Sequence, residues 1–222
     1  MKYKKYIISF IPGSSGRFVL AIMDRILLGL DTIINLSEDN SAHENTIKIW
    51  GNLKFGLPTP SNNYEPLESN NTDIHVFHTH IYPKFDLINS RFKNVGIILI
   101  KPDIQDMREI LFNNLTKNKN IESMNTFLKN YFYPNKNITN TMIEFEFNFK
   151  KHNKIFFTND IYPDNCLVIK YSEIYETTGE KYLLIEKLKE FTGISIVPSS
   201  VITACKQYTF NRNEIVKQHG LR

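Results

Sequence analysis

The stretch Tyr6-Ile7-Ile8-Ser9-Phe10-Ile11-Pro12-Gly13-Ser14-Ser15-Gly16-Arg17-Phe18 decides the fold. Tyr6 to Ile11 is a short apolar run with β-branched residues, stopped by Pro12-Gly13, and predicts a strand buried on both faces. Small residues follow. Val19, Ile22, Met23, Ile26, Leu27 and Leu30 then recur at three- and four-residue steps, the stripe of a core-facing helix. Strand, Gly/Ser loop and helix are the opening of an α/β domain.

Working outward, Ile74–Thr79, Val95–Ile100 and Leu167–Ile169 read as three further strands, with Val95–Ile100 the clearest. Asp103 to Lys117 repeats apolar residues at Ile104, Met107, Leu111 and Leu115, an amphipathic helix. Ile121–Tyr131 and Asn140–Lys150 read as helices. So does Glu180–Thr192, where Leu184, Leu188 and Phe191 line one face and Gly193 is the stop. Strands alternating with helices imply an α/β class with a central parallel sheet covered by helices. Residues 35–73 are dense in Asn, Ser, Pro and Gly and predict a long excursion with one short helix near Glu44–Trp50. Such an insertion is either a binding loop or plain surface loop. No repeat or linker divides the 222 residues, so residues 1–222 read as one domain.

Composition narrows the function. A hydrophobic share of 41% supports a sizeable core, and 23% charged residues excludes wholesale disorder. The net charge of +4 is too small and too dispersed to argue for nucleic acid, and it is compatible with a small anionic ligand. Cys166 and Cys205 build neither a disulfide framework nor a Cys-x-x-Cys metal pair, and a reduced cytoplasmic protein is the expectation. The apolar run Tyr6–Ile11 is too short for a secretory leader, and Phe18–Leu30, interrupted by Asp24 and Arg25, is too short to span a membrane.

Three stations carry residues suited to chemistry. In the first, Gly13, Ser14, Ser15, Gly16, Arg17 and Phe18 form a loop that enters a helix. Backbone N–H groups at the positive helix end, serine hydroxyls and one guanidinium make a phosphate cradle, and the glycines allow close approach. The alternative is an ordinary tight turn. The Gly-Lys-Ser/Thr ending of a Walker A loop is absent. In the second, His75, His78 and His80 approach a strand tip, and strand alternation puts His78 and His80 on one face. They suit a general base, a zinc pair without a recognisable third ligand, or satisfied core histidines. In the third, Lys101-Pro102-Asp103 ends the clearest strand, where a cation meets either an anion or solvent. Arg108 follows one turn along the next helix.

In this order the stations resemble the sulfotransferase family that uses 3′-phosphoadenosine 5′-phosphosulfate (PAPS). The closest likeness is to its compact phage- and virus-type members. Pro12 to Phe18 stands at the family's 5′-phosphosulfate loop. His78-Thr79-His80-Ile81-Tyr82-Pro83 is similar to its Lys-Thr-His-Leu-Pro-like segment, with His80 at the base position and His78 where lysine is usual. Lys101 follows about 20 residues later, where the family has an arginine for the 3′-phosphate. Leu167–Ile174 and Glu180–Ile194 resemble the late strand, the Tyr-Glu-Asp-Leu-like turn and the Phe-Leu-Gly-Ile-like helix ending. The likeness covers roughly residues 6–30 and 74–194. The chain departs from the pattern in lacking the loop lysine and in having Glu109 where a serine is expected. It has no Arg-Lys-Gly motif near its end, and Lys206 and Arg212 are candidates by location only.

The resemblance implies a P-loop-type three-layer fold and sulfuryl transfer from PAPS to a hydroxyl acceptor, on a small molecule, a carbohydrate or a protein. It implies His80 as base, with His78 beside it. Gly13, Ser14, Ser15, Gly16, Arg17, Phe18, Lys101 and Arg108 would hold the cofactor, with no metal. The other readings are a P-loop kinase or related phosphotransferase, and a catalytically silent nucleotide-binding scaffold.

Overall fold

The computed structural model describes residues 2–11, 13–29, 31, 76–80, 82–107, 109–110, 113, 154–158 and 161–219. The expected excursion at 35–73, the helices expected near 44–50, 121–131 and 140–150, and the candidates Pro12, His75, Ile81 and Arg108 lie outside these residues.

The architecture is mixed α/β, with a four-stranded parallel sheet flanked by helices. Strand β1 is Lys5–Ser9, β2 Val76–Thr79, β3 Val95–Lys101 and β4 Cys166–Lys170, in the spatial order β2-β1-β3-β4. Ile8 lies beside His78 on one neighbour and Ile98 on the other. Lys101 is level with Lys170. The two faces are apolar for different partners. Tyr6, Ile8 and Phe10 join the larger cluster, while Ile7 packs with Phe77, Val95, Ile97 and Ile88. A strand sandwiched this way has no polar alternation, which is why β1 and β3 read as continuous apolar runs.

Helix α1, Gly16–Leu28, follows β1 directly. It stops at Leu28, short of the expected stripe's last member Leu30: Gly29 adopts φ 63° and returns its N–H to the Arg25 carbonyl, a conformation costly for any residue with a Cβ. Burial goes beyond the expected stripe. Every side chain from Phe18 to Ile26 is buried, Asp24 and Arg25 included. Helix α2, Phe85–Arg91, supplies Ile88 to the smaller cluster. A one-turn helix, α3, covers Lys154–Thr158, and α4 spans Leu183–Thr192, closed by Gly193 at φ 72°. Helix α5, Ser199–His219, is 21 residues long and returns along α1. Its start is capped from a distance: Asp31, just beyond α1, accepts the Ser200 N–H at 2.8 Å and the Ser199 hydroxyl. Among the described residues no helix is long and apolar enough to cross a membrane.

This strand order has a switch point between β1 and β3. From β1 the chain turns to β2 on one side, and β3 and β4 lie on the other. Connections leave β1 and β3 in opposite directions, opening a crevice beyond their carboxyl ends. The loop at Gly13–Ser15 and the residues after β3 face each other across it.

Candidate functional site

The loop is shaped by its own hydrogen bonds. Gly13 sits at φ 90° and Ser15 at φ 60°, and Ser14 folds back, its N–H and hydroxyl both donating to the Ile11 carbonyl, at 3.0 and 2.6 Å. Ser15 caps α1 by position, without a side-chain bond to the helix, and its hydroxyl faces the crevice. Gly16 is required by the protein itself: a Cβ there would fall inside the Phe10 ring. The absence of a Cβ at Gly16 therefore has a reason within the fold, independent of any ligand. The Ser14 hydroxyl proton is likewise engaged within the loop, on the Ile11 carbonyl. Phe18 is buried with its ring stacked on Tyr208 at 3.8 Å, and Arg17 is half-buried in the first turn.

Across the loop lies a cleft of about 40 Å³, room for about three water molecules. Gly13, Ser15, Glu109, Asn113, Tyr175, Tyr208, Asn211, Arg212 and Ile215 line it. Glu109 is buried, and Arg212 clasps it with two parallel bonds, Nε to Oε1 at 2.6 Å and Nη2 to Oε2 at 2.7 Å. Burial opposes the Arg212 charge, but the hydrogen bonds and charge of Glu109 outweigh it and its pKa is raised. The guanidinium also covers the Tyr175 ring at 4.4 Å.

From this pair a line of hydroxyls runs back to the loop. Tyr171 donates to Glu109 Oε1 at 2.8 Å, and Tyr175 contacts the Tyr171 hydroxyl at 3.2 Å. Ser15 contacts the Tyr175 hydroxyl at 2.6 Å, and Tyr208 contacts Ser15 at 2.9 Å. Asn113 bridges the Tyr171 hydroxyl and the Gly13 carbonyl. Burial first, and neighbouring oxygen charges next, raise Tyr171 and Tyr175 well above the usual phenol range; burial also raises Tyr208. All three stay protonated at neutral pH.

The histidines sit on the other side of the loop's base. His78 and His80 share a face as expected, with ring centroids 6.1 Å apart. His78 is buried beside Phe10, and His80 meets Phe10 edge-on at 4.6 Å. His80 Nδ1 lies 3.2 Å from the Phe10 carbonyl. A carbonyl only accepts, so Nδ1 carries the proton and Nε2 of the neutral ring keeps a lone pair. Lys101 is at the same edge of the sheet, half-buried, with its ammonium 5.7 Å above the Tyr162 ring.

The structure therefore brings Gly13 and Ser15 together with Glu109, Asn113, Tyr175, Tyr208 and Arg212. His80 and Lys101 are not among the residues lining that cleft. Among the described residues no three His, Cys, Asp or Glu side chains converge as a metal site. Cys166 and Cys205 are free thiols, each pushed by burial up to about 12, and are poor nucleophiles. Sequence reasoning missed the three tyrosines and the role of Arg212. The paired Tyr171 and Tyr175, one turn apart around the short 3₁₀ turn Ser172–Ile174, were the available signal.

No protein-family model, curated protein or solved structure matches the chain.

Proposed function

We propose that the chain is a sulfotransferase that moves the sulfuryl group of PAPS to a hydroxyl acceptor on a P-loop-type three-layer fold. The observation that carries the reading is His80. Its Nδ1 lies 3.2 Å from the Phe10 carbonyl at the carboxyl edge of the sheet, one strand from the Gly13–Ser15 loop, which supports an Nδ1–H form whose basic nitrogen is Nε2. In the reaction Nε2 takes the acceptor's hydroxyl proton. The oxygen forms a bond to sulfur as the sulfur–oxygen bond to the 5′-phosphate breaks, and the departing phosphate keeps that electron pair. First-turn N–H groups of α1, which have no acceptor within the helix, meet the growing charge. Lys101, at the neighbouring strand tip, is the cation offered to a 3′-phosphate. A sulfuryl group carries less charge than a phosphoryl group, and the step needs no metal.

A second reading, a silent nucleotide-binding scaffold, is favoured by one observation: the Ser14 and Ser15 hydroxyls are both engaged within the protein. Transfer of labelled sulfate from PAPS to a panel of hydroxyl compounds separates the two. Transfer that disappears in His80→Ala supports the enzyme. Absence of transfer to every acceptor, with bisphosphate binding intact, supports the scaffold.

A further inference from the structure

The hydroxyl line from Tyr208 to Glu109 has one allowed direction. Tyr171's oxygen has one proton and two lone pairs. The Glu109 carboxylate takes the proton, and the Asn113 amide donates to one lone pair, so Tyr175 must donate to the other. Tyr175 has then spent its proton, and Ser15 must donate to Tyr175. Ser15 in turn accepts from Tyr208. The sink at Glu109 thus fixes the proton of Ser15 nearly the whole length of the network away. At the same time Glu109 holds the Nε and Nη2 donors of Arg212.

We propose that Tyr175, Glu109 and the Tyr208–Arg212 turn of α5 form a latch over the crevice. The latch keeps the Ser15 hydroxyl and the Arg212 fork from a ligand oxyanion. Binding an anion at the loop requires Ser15 to exchange Tyr175, and Arg212 to exchange Glu109, for ligand oxygens. The inference rests on the reading of the loop as an anion site. It adds that the resting chain is self-closed, and that removing the internal acceptor strengthens binding.

Tyr175→Phe is the direct variant. It deletes the acceptor of Ser15 and keeps the ring under Arg212 and the Glu109 pair intact. Calorimetric titration with inorganic phosphate and with adenosine 3′,5′-bisphosphate reads the effect. The freed hydroxyl becomes a donor to a charged group, and the expected gain in affinity is about tenfold. Glu109→Gln is the second variant: it removes the negative charge and one of the two acceptor oxygens that hold the Arg212 fork. It should tighten the bisphosphate at least as much. Amide hydrogen exchange across residues 199–219 confirms that each variant is folded and should be faster around Tyr208 in Glu109→Gln. Equal or weaker affinity in a folded Tyr175→Phe protein overturns the latch alone. Failure of the wild type and both variants to bind either probe overturns the anion site and the latch with it.

Discussion

Arg212, near the end of the chain, holds Glu109 through two parallel hydrogen bonds of 2.6 and 2.7 Å, and the carboxylate they satisfy is 1% exposed. The pair ties α5 to the crevice between β1 and β3. Removing one member of such a pair strands the other, whereas an exposed pair, such as Lys189 with Glu186, contributes at most about 1 kcal/mol.

Arg212→Ala should therefore lower unfolding stability by about 3–5 kcal/mol. Arg212→Lys should recover only part of that, because an ammonium cannot match both carboxylate oxygens. Urea unfolding monitored by circular dichroism checks both. A loss below about 1 kcal/mol for Arg212→Ala would mean that the pair is not formed in solution.

Asp24 makes stability depend on pH. Burial lifts its carboxyl from 3.8 to about 8, against the pull of the neighbouring Arg25 charge, and its Oδ2 has no hydrogen-bond partner. Between those values the folded chain keeps a proton that the unfolded chain has released. The stabilising contribution is complete below about pH 4 and is lost as pH rises through about 8. Asp24→Asn should flatten this slope. Denaturation midpoints at pH 5 and pH 8 decide, and identical slopes in the two proteins would refute the assignment.

Asp31 should act in the opposite sense. The Ser200 backbone N–H, followed by the Ser200 and Ser199 hydroxyls, holds its carboxyl below the ordinary value. Its support of α5 is present above pH 4 and fades as pH falls through the lowered value. Asp31→Asn keeps an acceptor and should preserve the first turn of α5, while Asp31→Ala should speed its amide exchange. Equal exchange in both variants would show that the cap does not hold the helix.

For His80, the fixed tautomer predicts a separation of chemistry from binding. His80→Ala should cut sulfate transfer by about 10²- to 10⁴-fold and leave adenosine 3′,5′-bisphosphate affinity within a few fold. His78 is packed beside Phe10, so His78→Ala should instead lower stability. Full transfer activity in His80→Ala would remove the histidine from the mechanism.

Much of the sheet was legible because burial on both faces leaves uninterrupted apolar runs, as in Val95–Lys101. Helices α1 and α4 were legible from their stripes, and α4 also from Gly193, which stops it; Gly29, which stops α1, was not read as a stop. Helix α2 escaped because seven residues bury a single side chain, Ile88, and present no stripe. Helix α5 escaped for another reason. Its inner stripe of Val201, Ala204, Cys205 and Tyr208 is interleaved with the outward Ile202 and Phe210, which blur the period. The loop was visible as a Gly/Ser run, but its occupants were not. Tyr208 and Ser15 are 193 residues apart, and Glu109 lies 103 from Arg212, so no local spacing announces either contact. At Gly16 the close approach that the missing Cβ permits within the chain is that of Phe10, which no local spacing announces either.

The most direct test is a calorimetric titration of the intact chain with adenosine 3′,5′-bisphosphate, run beside one with Mg-ATP. The account predicts saturable binding of the bisphosphate, weakened by Lys101→Ala more than binding of adenosine 5′-monophosphate is, with Mg-ATP binding far more weakly. Preference for Mg-ATP, or no binding of the bisphosphate even in Tyr175→Phe, would contradict it.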